Sequence, residues 1–332
     1  MAVTGAYTLG NLATISQTPL EKAVILNLLR YTEIFGNLPF KNVDALNVSA
    51  VRVTALPTPA FRNLNAGYTA SVGDTEQVTE HLYPFGGEIK MDPVFKKVKN
   101  TIQDPYAQQL DLHMKATALV LNDRFVNGDW ASDTTTLGFE GLKKRVSNMP
   151  ARQSVRFSAS TDILDPTAST ANARLFLDKL DEAFIRCNGG NVSAIYTNEA
   201  IKLGIARVLR YLTLSGSFLT TSKDVYGRTV YEYKGAPIVD VGLKRDQSTE
   251  IIPVTETAED AGADATSLYC VSHDMSEGLV GISLSQMEVK EVGQMEDTVT
   301  DQYRYEWVIG LAGFGSRGIV RGHNIEAPAS WT

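Results

Sequence analysis

The stretch that most constrains the fold is residues 104–130, DPYAQQLDLHMKATALVLNDRFVNGDW, which has the pattern of one long helix. Asp104 can cap its first turn, Pro105 suits the first helical position, and Gly128 provides a C-terminal stop. Such a helix would be roughly 30–35 Å long at about 1.5 Å per residue, so we expect other elements to pack against it. The residues that recur on one face are Tyr106, Leu110, Met114, Thr117, Leu121 and Phe125.

Charge and cysteine content argue against several classes of protein. The chain has 332 residues, enough for two packed regions, and its formal net charge of −7 argues against a general nucleic-acid binder. Its two cysteines, Cys187 and Cys270, are too few for a disulfide framework, so we expect a reducing compartment. The sequence lacks a secretory signal and any apolar stretch approaching about 18 residues, so we expect no membrane association.

The N-terminal region combines an extended segment with a helix. Residues 1–17 show no periodicity and are rich in small residues, which favours an arm. Residues 18–21, TPLE, have the spacing of a capping box, and a helix is predicted from there to Phe35. The apolar face of this helix carries Val24, Leu28, Tyr31 and Phe35.

Residues 49–92 have the pattern of a long hairpin that lacks a core of its own. Alternation over residues 51–55 predicts a first strand, and residues 80–91 predict the strand that returns. The turn-rich centre at 65–74 holds few large apolar side chains. Because a lone two-stranded hairpin is marginally stable in water, this segment is either a disordered loop or lies on another subunit.

The second half of the chain has an α/β pattern that ends in strands. Helices are predicted at 170–187 and 197–211, and strands at 192–196 and in the hairpin 228–241. A strand at 303–309 has one apolar face, which we expect to carry the long helix. The residues on that face are Tyr303, Tyr305, Trp307 and Ile309.

No arrangement of residues predicts a catalytic, cofactor or metal site. Residues 313–318, GFGSRG, match a dinucleotide-binding pattern, but a β-like run follows them, so we interpret the glycines as points where strands bend and pack closely. The four histidines have no metal-binding spacing. His273-Asp274 could place a base beside a carboxylate, but a turn after a strand explains the pair better.

Two basic clusters flank the long helix in sequence, at 96–99 (KKVK) and at 143–145 (KKR). One interpretation is a solvated surface. The functional alternative is ion pairing between subunits, which suits an otherwise acidic chain. Contact with nucleic-acid phosphates is a further alternative.

The order of these elements resembles the major capsid proteins of tailed bacteriophages, which have the Hong Kong 97-like fold. The resemblance covers most of the chain. The stretches that carry it are residues 54–71, TALPTPAFRNLNAGYTAS; residues 106–111, YAQQLD; residues 125–129, FVNGD; and residues 138–142, GFEGL.

The resemblance implies an α+β fold with an N-terminal arm, an extended loop hairpin, a peripheral domain built on the long helix as its spine, and an axial α/β domain. The implied segments are an arm at 1–48, the extended loop at 49–92, the peripheral domain at 93–165 with its spine helix at 104–128, the axial domain at 166–293, a returning peripheral strand at 294–315, and a last axial strand at 316–332.

The resemblance also implies a structural protein rather than an enzyme, without cofactors. Copies of the chain would form hexamers and pentamers of an icosahedral shell around double-stranded DNA, which they contact non-specifically. Further partners would be a separate scaffolding protein, a portal protein and a decoration protein. The location would be the virion capsid, assembled in the host cytoplasm.

The extended loop and the basic clusters supply the candidate residues for contacts between subunits. The sequence has no lysine between Lys41 and Lys90, so the loop tip offers no amine for the isopeptide cross-link that some capsid proteins of this family form. Only residues 1–17 precede the first predicted helix, which is too short for a fused scaffolding domain. The candidate contact residues are Arg52, Arg62, Tyr68, Glu80, Lys96, Lys97, Lys99, Lys143, Lys144 and Arg145.

Two alternatives remain open. The first is an encapsulin-type compartment shell, which has the same fold and encloses an enzyme. The second is an α/β metabolic enzyme in which residues 49–92 form a non-specific loop. The enzyme interpretation requires a convergent polar site, and the sequence does not offer one.

Overall fold

The computed structural model describes residues 26, 28, 30–97, 105–130, 138–157, 170–212, 219–223, 229–257, 264–274, 276–294 and 299–326. The predicted arm at 1–17 and the cap at Asp104 lie outside these ranges. Of the predicted N-terminal helix, Leu28 and Tyr31 are helical, and Leu28 is buried. The prediction that this helix continues to Phe35 is wrong, because Thr32 and Glu33 are not helical and a separate short helix begins at Ile34.

Besides the helical residues around Leu28, the described residues include five α-helices and fifteen strands whose bounds are defined. The helices are α1 Ile34–Asn37, α2 Pro105–Asn127, α3 Leu142–Ser147, α4 Thr170–Arg186 and α5 Glu199–Tyr211. The strands are β1 Phe40–Asn42, β2 Asn47–Ala55, β3 Asp74–His81, β4 Tyr83–Met91, β5 Ser154–Arg156, β6 Ala194–Thr197, β7 Leu219–Lys223, β8 Thr229–Tyr233, β9 Ala236–Asp240, β10 Glu256–Thr257, β11 Asp264–Val271, β12 Val280–Ser283, β13 Glu288–Gln294, β14 Asp301–Ala312 and β15 Ile319–Glu326.

The long helix α2 lies on a five-stranded sheet whose central strand is β14. Strand β4 pairs antiparallel with one edge of β14, while β12 and β13 share the other edge and β1 runs parallel to β12. The prediction that α2 packs on alternating residues of β14 is confirmed, because Met114 and Leu121 are buried in one cluster with Tyr305 and Trp307. Alternation therefore fixes which face of the strand is covered.

The prediction that residues 80–91 return the hairpin is wrong. Strand β2 pairs with β3, from Asn47 opposite His81 to Ala55 opposite Asp74, whereas β4 belongs to the five-stranded sheet and pairs with β14 along its whole length. The physical reason is burial. Phe85, Ile89 and Met91 lie on one face of β4 and pack on the core under α2, while β3 is polar and held mainly by its backbone ladder.

The second sheet has eight strands and is covered on both faces. Its strand order is β5-β15-β11-β6-β9-β8-β7, with β10 added to β11. Adjacent residues point to opposite faces: Ile195 packs on α4 and α5, and Tyr196 points to the core under α2. The cap of α5 is Asn198 rather than the predicted Thr197, since its side-chain oxygen accepts a hydrogen bond from the Ile201 amide at 3.0 Å.

An aromatic cluster joins the N-terminal segment to both sheets. Phe35 and Phe40 lie with ring centroids 6.5 and 5.2 Å from Trp307, and the Phe125 ring lies 6.4 Å from Phe35. On its other side Phe125 contacts Tyr196 of the second sheet, with 4.9 Å between the centroids. The helix α2 therefore sits between the sheets and shares one core with both.

The strand pairings differ in two places from the segments expected from the sequence. Strands β12 and β13 pair with β14, although residues 166–293 were assigned to the axial domain. Strand β5 pairs with β15 in the second sheet, although residues 93–165 were assigned to the peripheral domain. The division into domains itself stays a prediction. Within the described ranges, no helix is both long and apolar enough to cross a lipid bilayer.

Candidate subunit interface

The hairpin of β2 and β3 ends in a loop, residues 56–73, whose side chains are all exposed. The loop contains five large apolar side chains, with Phe61 and Leu64 almost completely accessible. Soluble monomers rarely leave such a patch uncovered, so its exposure indicates a surface that another molecule covers. The exposed apolar residues of the loop are Leu56, Phe61, Leu64, Tyr68 and Val72.

Arg62 orders the tip of this loop. Its guanidinium carbon lies 5.2 Å from the centre of the Tyr68 ring, and its Nη1 atom donates to the carbonyl oxygen of Ala66 at 3.2 Å. Within the turn from Arg62 to Tyr68, Asn65 has a φ of 65°, and the Ala66 amide donates a hydrogen bond to the carbonyl oxygen of Asn63. These contacts shape the tip locally, so it does not need a core to keep its turn.

Polar cross-strand pairs hold the two strands of the hairpin together. Arg52 forms an ion pair with Glu76 at 2.9 Å, and the hydroxyl groups of Ser49 and Thr79 lie 2.9 Å apart. Farther out, the Thr58 amide donates to the hydroxyl oxygen of Ser71 at 2.9 Å. Since these pairs are exposed, they contribute little stability and leave the hairpin dependent on its base and its surroundings.

The base of the hairpin packs on a small core at the end of the five-stranded sheet. Val48, Ala50 and Val78 are partly buried there against a cluster of buried apolar residues. The members of the cluster are Leu82, Ile282, Ala312 and Phe314. The hairpin is therefore anchored at one end and extends from the body with no apolar support along its outer half.

Glu80 and Arg145 contact each other inside one chain. Nη1 and Nη2 of Arg145 donate to the two carboxylate oxygens of Glu80, at 2.5 and 2.9 Å. Arg145 is buried and Glu80 is partly buried, with exposed side-chain fractions of 5% and 12%. The interpretation of residues 143–145 as one solvated basic cluster is therefore wrong for Arg145, which pairs with another of the candidate contact residues.

The other basic candidates do not form one described cluster. Lys144 forms an ion pair with Asp129 at 3.2 Å, and Lys143 is exposed. Lys96 and Lys97 belong to the 3-10 helix Pro93–Lys97, whereas Lys99 lies outside the described residues. Their role in contacts between subunits stays a prediction.

Four of the five exposed apolar residues of the loop are not among the contact residues predicted from the sequence: Leu56, Phe61, Leu64 and Val72. The predicted residues in the loop are Arg62 and Tyr68, which stack on each other. The signal was present: four large apolar residues stand in a loop in which Arg62 is the sole charged residue. The loop also contains many turn-forming residues, and because turns are ordinarily polar, its apolar side chains were not predicted to form a contact surface.

The glycines of residues 313–318 allow close packing, as the sequence predicts. A Cβ atom on Gly315 or Gly318 would lie 2.3 or 2.1 Å from backbone atoms of Glu277. The residues that follow form β15 and not a helix, so the structural context of a dinucleotide site is missing from this segment. Within the described ranges, no group of three or more His, Cys, Asp or Glu side chains is arranged to hold a metal ion.

His273 is a buried structural residue in the segment after β11. Its Nδ1 atom donates to the carbonyl oxygen of Leu279 at 3.1 Å, so its Nε2 atom accepts from the Tyr196 hydroxyl at 3.0 Å. Asp274 instead forms a local turn, in which its carbonyl oxygen accepts from the Gly278 amide. The hypothesis of a base with its orienting carboxylate is therefore not supported, and burial lowers the pKa of His273 to about 4.

We expect His273 to make the unassembled subunit less stable in acid. Between pH 6.5 and about 4 the unfolded chain binds a proton that the folded chain excludes, so stability falls as the pH falls. Between pH 7 and pH 4.5, this histidine lowers the free energy of unfolding by about 2.5 kcal/mol. Urea unfolding at both pH values should show this loss in the wild type and its absence in His273→Gln.

The same comparison removes the effect of other groups. Burial raises the pKa of Asp240 and of Glu250, so protonation of these two carboxyls stabilises the folded chain as the pH falls. Their effect on the free energy of unfolding is opposite to that of His273. They are present in both proteins and cancel in the difference. An equal pH dependence in wild type and variant would contradict the assignment to His273.

Comparison by sequence finds no protein-family model and no curated protein that matches this chain. Comparison by structure finds several similar folds. The chain is similar to the holo-SrpI encapsulin complex from Synechococcus elongatus PCC 7942, with a TM-score of 0.54 at 14% identity over 94% of this chain and 91% of that one.

Two further structures extend the comparison. A protein of Mycobacterium phage Bobi has a TM-score of 0.54 at 11% identity, over 90% of this chain and 89% of its own. The virus-like particle from Pyrococcus furiosus has a TM-score of 0.51 at 8% identity, over 90% and 95%. The neighbours are phage capsid proteins and encapsulins, and the predicted Hong Kong 97-like α+β fold is confirmed.

Proposed function

We propose that this protein is a non-enzymatic, shell-forming structural subunit, the major capsid protein of a tailed bacteriophage. The fold supports this proposal, but the observation that carries it is the hairpin loop 56–73. A single chain leaves the five apolar side chains of this loop in water, and a neighbouring copy would cover them. Arginine and aromatic side chains, such as those of Arg62, Phe61 and Tyr68, are enriched in protein–protein interfaces and often provide much of the binding energy.

In this proposal copies of the chain form hexamers and pentamers of an icosahedral shell in the host cytoplasm. The shell encloses double-stranded DNA, which it contacts non-specifically. The net charge of −7 repels the DNA phosphates, so these contacts are weak in the proposed shell. A scaffolding protein and a portal protein are the further partners, and a decoration protein can bind outside. The loop 56–73 contains no lysine, so the proposed shell is held by overlap of hairpins and not by isopeptide bonds.

The specific alternative is an encapsulin-type compartment. It is favoured by the similarity to the Synechococcus elongatus encapsulin complex, whose TM-score of 0.54 equals that of the phage Bobi protein. Both candidates are shells, and they differ in what the shell encloses. The contents of the purified particle therefore decide between them.

The test is to purify the native assembly by size-exclusion chromatography and image it by electron microscopy. We expect hollow or filled icosahedral particles, and nuclease-protected double-stranded DNA after the particles are opened. Protein cargo without DNA would support the compartment instead. A small oligomer of fixed size at every protein concentration would overturn the shell proposal in both forms.

A further inference from the structure

We propose that Arg145 sets the direction in which the hairpin leaves the subunit, and that it does so through Glu80. This inference rests on the proposed function, because the direction of the hairpin determines where its tip reaches a neighbouring copy. Arg145 is then a positioning residue for assembly. It need not contact the neighbour itself.

The guanidinium of Arg145 joins three separate parts of the chain. Besides its two hydrogen bonds to Glu80 in β3, Nη2 donates to the carbonyl oxygen of Leu311 in β14 at 3.1 Å. Nε donates to the carbonyl oxygen of Glu140 at 3.0 Å. A planar guanidinium with donors at fixed angles holds these acceptors in one relative orientation.

The helix that carries Arg145 is itself fixed to the end of α2. The Gly141 amide donates to the Gly128 carbonyl oxygen at 2.8 Å, and a Cβ atom on Gly141 would lie only 2.7 Å from the Gly128 nitrogen. On the other side Gly313 leaves room for the guanidinium, since a Cβ atom there would be 3.2 Å from Nη1. The position of the guanidinium is therefore determined by the long helix and the central strand.

Glu80 lies at the base of the hairpin, one residue before β3 ends at His81 and opposite Val48 of β2. From Glu80 the strand runs six residues to its far end at Asp74, which is about 20 Å at about 3.3 Å per residue. A rotation of about 10° at the base would therefore move that end by roughly 3–4 Å, which is enough to misplace a side chain in an interface.

The burial of this pair distinguishes it from the other ion pair of the hairpin. Arg52 and Glu76 have exposed fractions of 28% and 56%, so water can replace either partner. Arg145 and Glu80 are shielded, so neither charge has a good alternative partner when the other is moved. The hairpin base is therefore held in one orientation and cannot exchange between several.

The test is Arg145→Lys in the full chain, which keeps the charge and loses the planar fork. We expect amide hydrogen exchange to rise in β2 and β3 and the subunit concentration needed for assembly to rise about tenfold or more. Glu80→Asp, which draws the carboxylate back by one methylene group, should give a smaller change in the same direction and serves if Arg145→Lys does not fold.

The matched control is Arg321→Lys, at the ion pair of Arg321 with Glu256 in the second sheet. It makes the same chemical change at a partly buried arginine away from the hairpin, so it should leave hairpin exchange and assembly as in the wild type. Equal effects of the two arginine variants on exchange in β2 and β3 would overturn the proposal.

The outcomes separate this inference from the proposed function. If wild-type subunits form shells and Arg145→Lys forms them at the same concentration, the positioning role fails and the shell function stands. If wild-type subunits form no shells, the proposed function fails. Hairpin exchange then decides the role of Arg145: faster exchange in Arg145→Lys supports it and unchanged exchange overturns it.

Discussion

Replacement of residues 56–73 by an Asn-Gly turn should give a folded subunit that no longer assembles. Ala55 and Asp74 are paired neighbours at the end of the ladder, so a two-residue turn can close the shortened hairpin. The removed side chains are all exposed in the single chain, so the free energy of unfolding should change by less than about 1 kcal/mol. The concentration needed for assembly should rise about 100-fold or more, because a few apolar anchors provide most of the energy of an interface.

Light scattering during assembly and urea unfolding of the free subunit measure the two effects separately. Phe61→Ser is a milder variant that should weaken assembly in the same direction. Ile185→Ser is its control, since Ile185 is an exposed apolar residue of α4 with 62% of its surface accessible. Normal shell formation by the shortened chain would show that the tip does not carry the contact.

Trp307→Ala should remove about 3–5 kcal/mol from the free energy of unfolding. Trp307 is 1% exposed and contacts Phe35 and Phe40 of the N-terminal segment, so its loss opens a cavity where that segment meets the central strand. This is a large part of the stability of an ordinary domain, so the variant will fold poorly at 37 °C. Urea unfolding of the free subunit at 25 °C provides the measurement.

Two variants make this result interpretable. Trp307→Phe should cost less because it leaves a smaller cavity, and it also removes an indole nitrogen that is buried without a hydrogen-bond partner among the described residues. Trp130→Ala is the matched control at an exposed site, with 51% of the side chain accessible, and should cost less than about 1 kcal/mol. A similar loss at both tryptophans would contradict the packing described here.

Periodicity was sufficient to predict the three long helices α2, α4 and α5, but it did not predict the short helices α1 and α3. The long helix begins and ends within one residue of the predicted 104–128, and Met114, Leu121 and Phe125 are buried as expected. The hairpin around Lys234-Gly235 also forms, since both residues have positive φ and suit a tight turn. Local patterns succeed in these cases because the residues that decide the structure are close in sequence.

Pairing between distant strands could not be predicted in the same way. Strand β3, DTEQVTEH, has no apolar alternation, and it is a strand because β2 supplies its ladder. Residues 83–91 alternate well, but nothing local shows that their partner is β14, more than 200 residues farther along the chain. The pattern therefore indicated β-structure at 80–91 and assigned it to the wrong partner.

The sequence predicted the exposed hairpin of the candidate interface but not the ion pair at its base. The absence of a core in the hairpin follows from its composition, and the structure shows the exposed tip. The pairing of Glu80 with Arg145 could not be inferred, because a charge in a basic cluster is ordinarily solvated and its burial here depends on Glu80 and on the Leu311 carbonyl, which lie 65 and 166 positions away in the chain. Sequence composition thus located the candidate contact surface, whereas the contacts at the base of the hairpin can be seen only in the tertiary structure.

The placement of β1 has a consequence for synthesis on the ribosome. The side chains of Asn42 and Ser283 form a hydrogen bond although they are 241 positions apart in the chain. Strand β4 pairs with β14, which is synthesised much later and ends at Ala312. At about 5–20 residues per second, roughly 15–50 s separate the emergence of the first half of this core from the second. A nascent chain therefore cannot complete the platform under its hairpin before Ala312 has emerged.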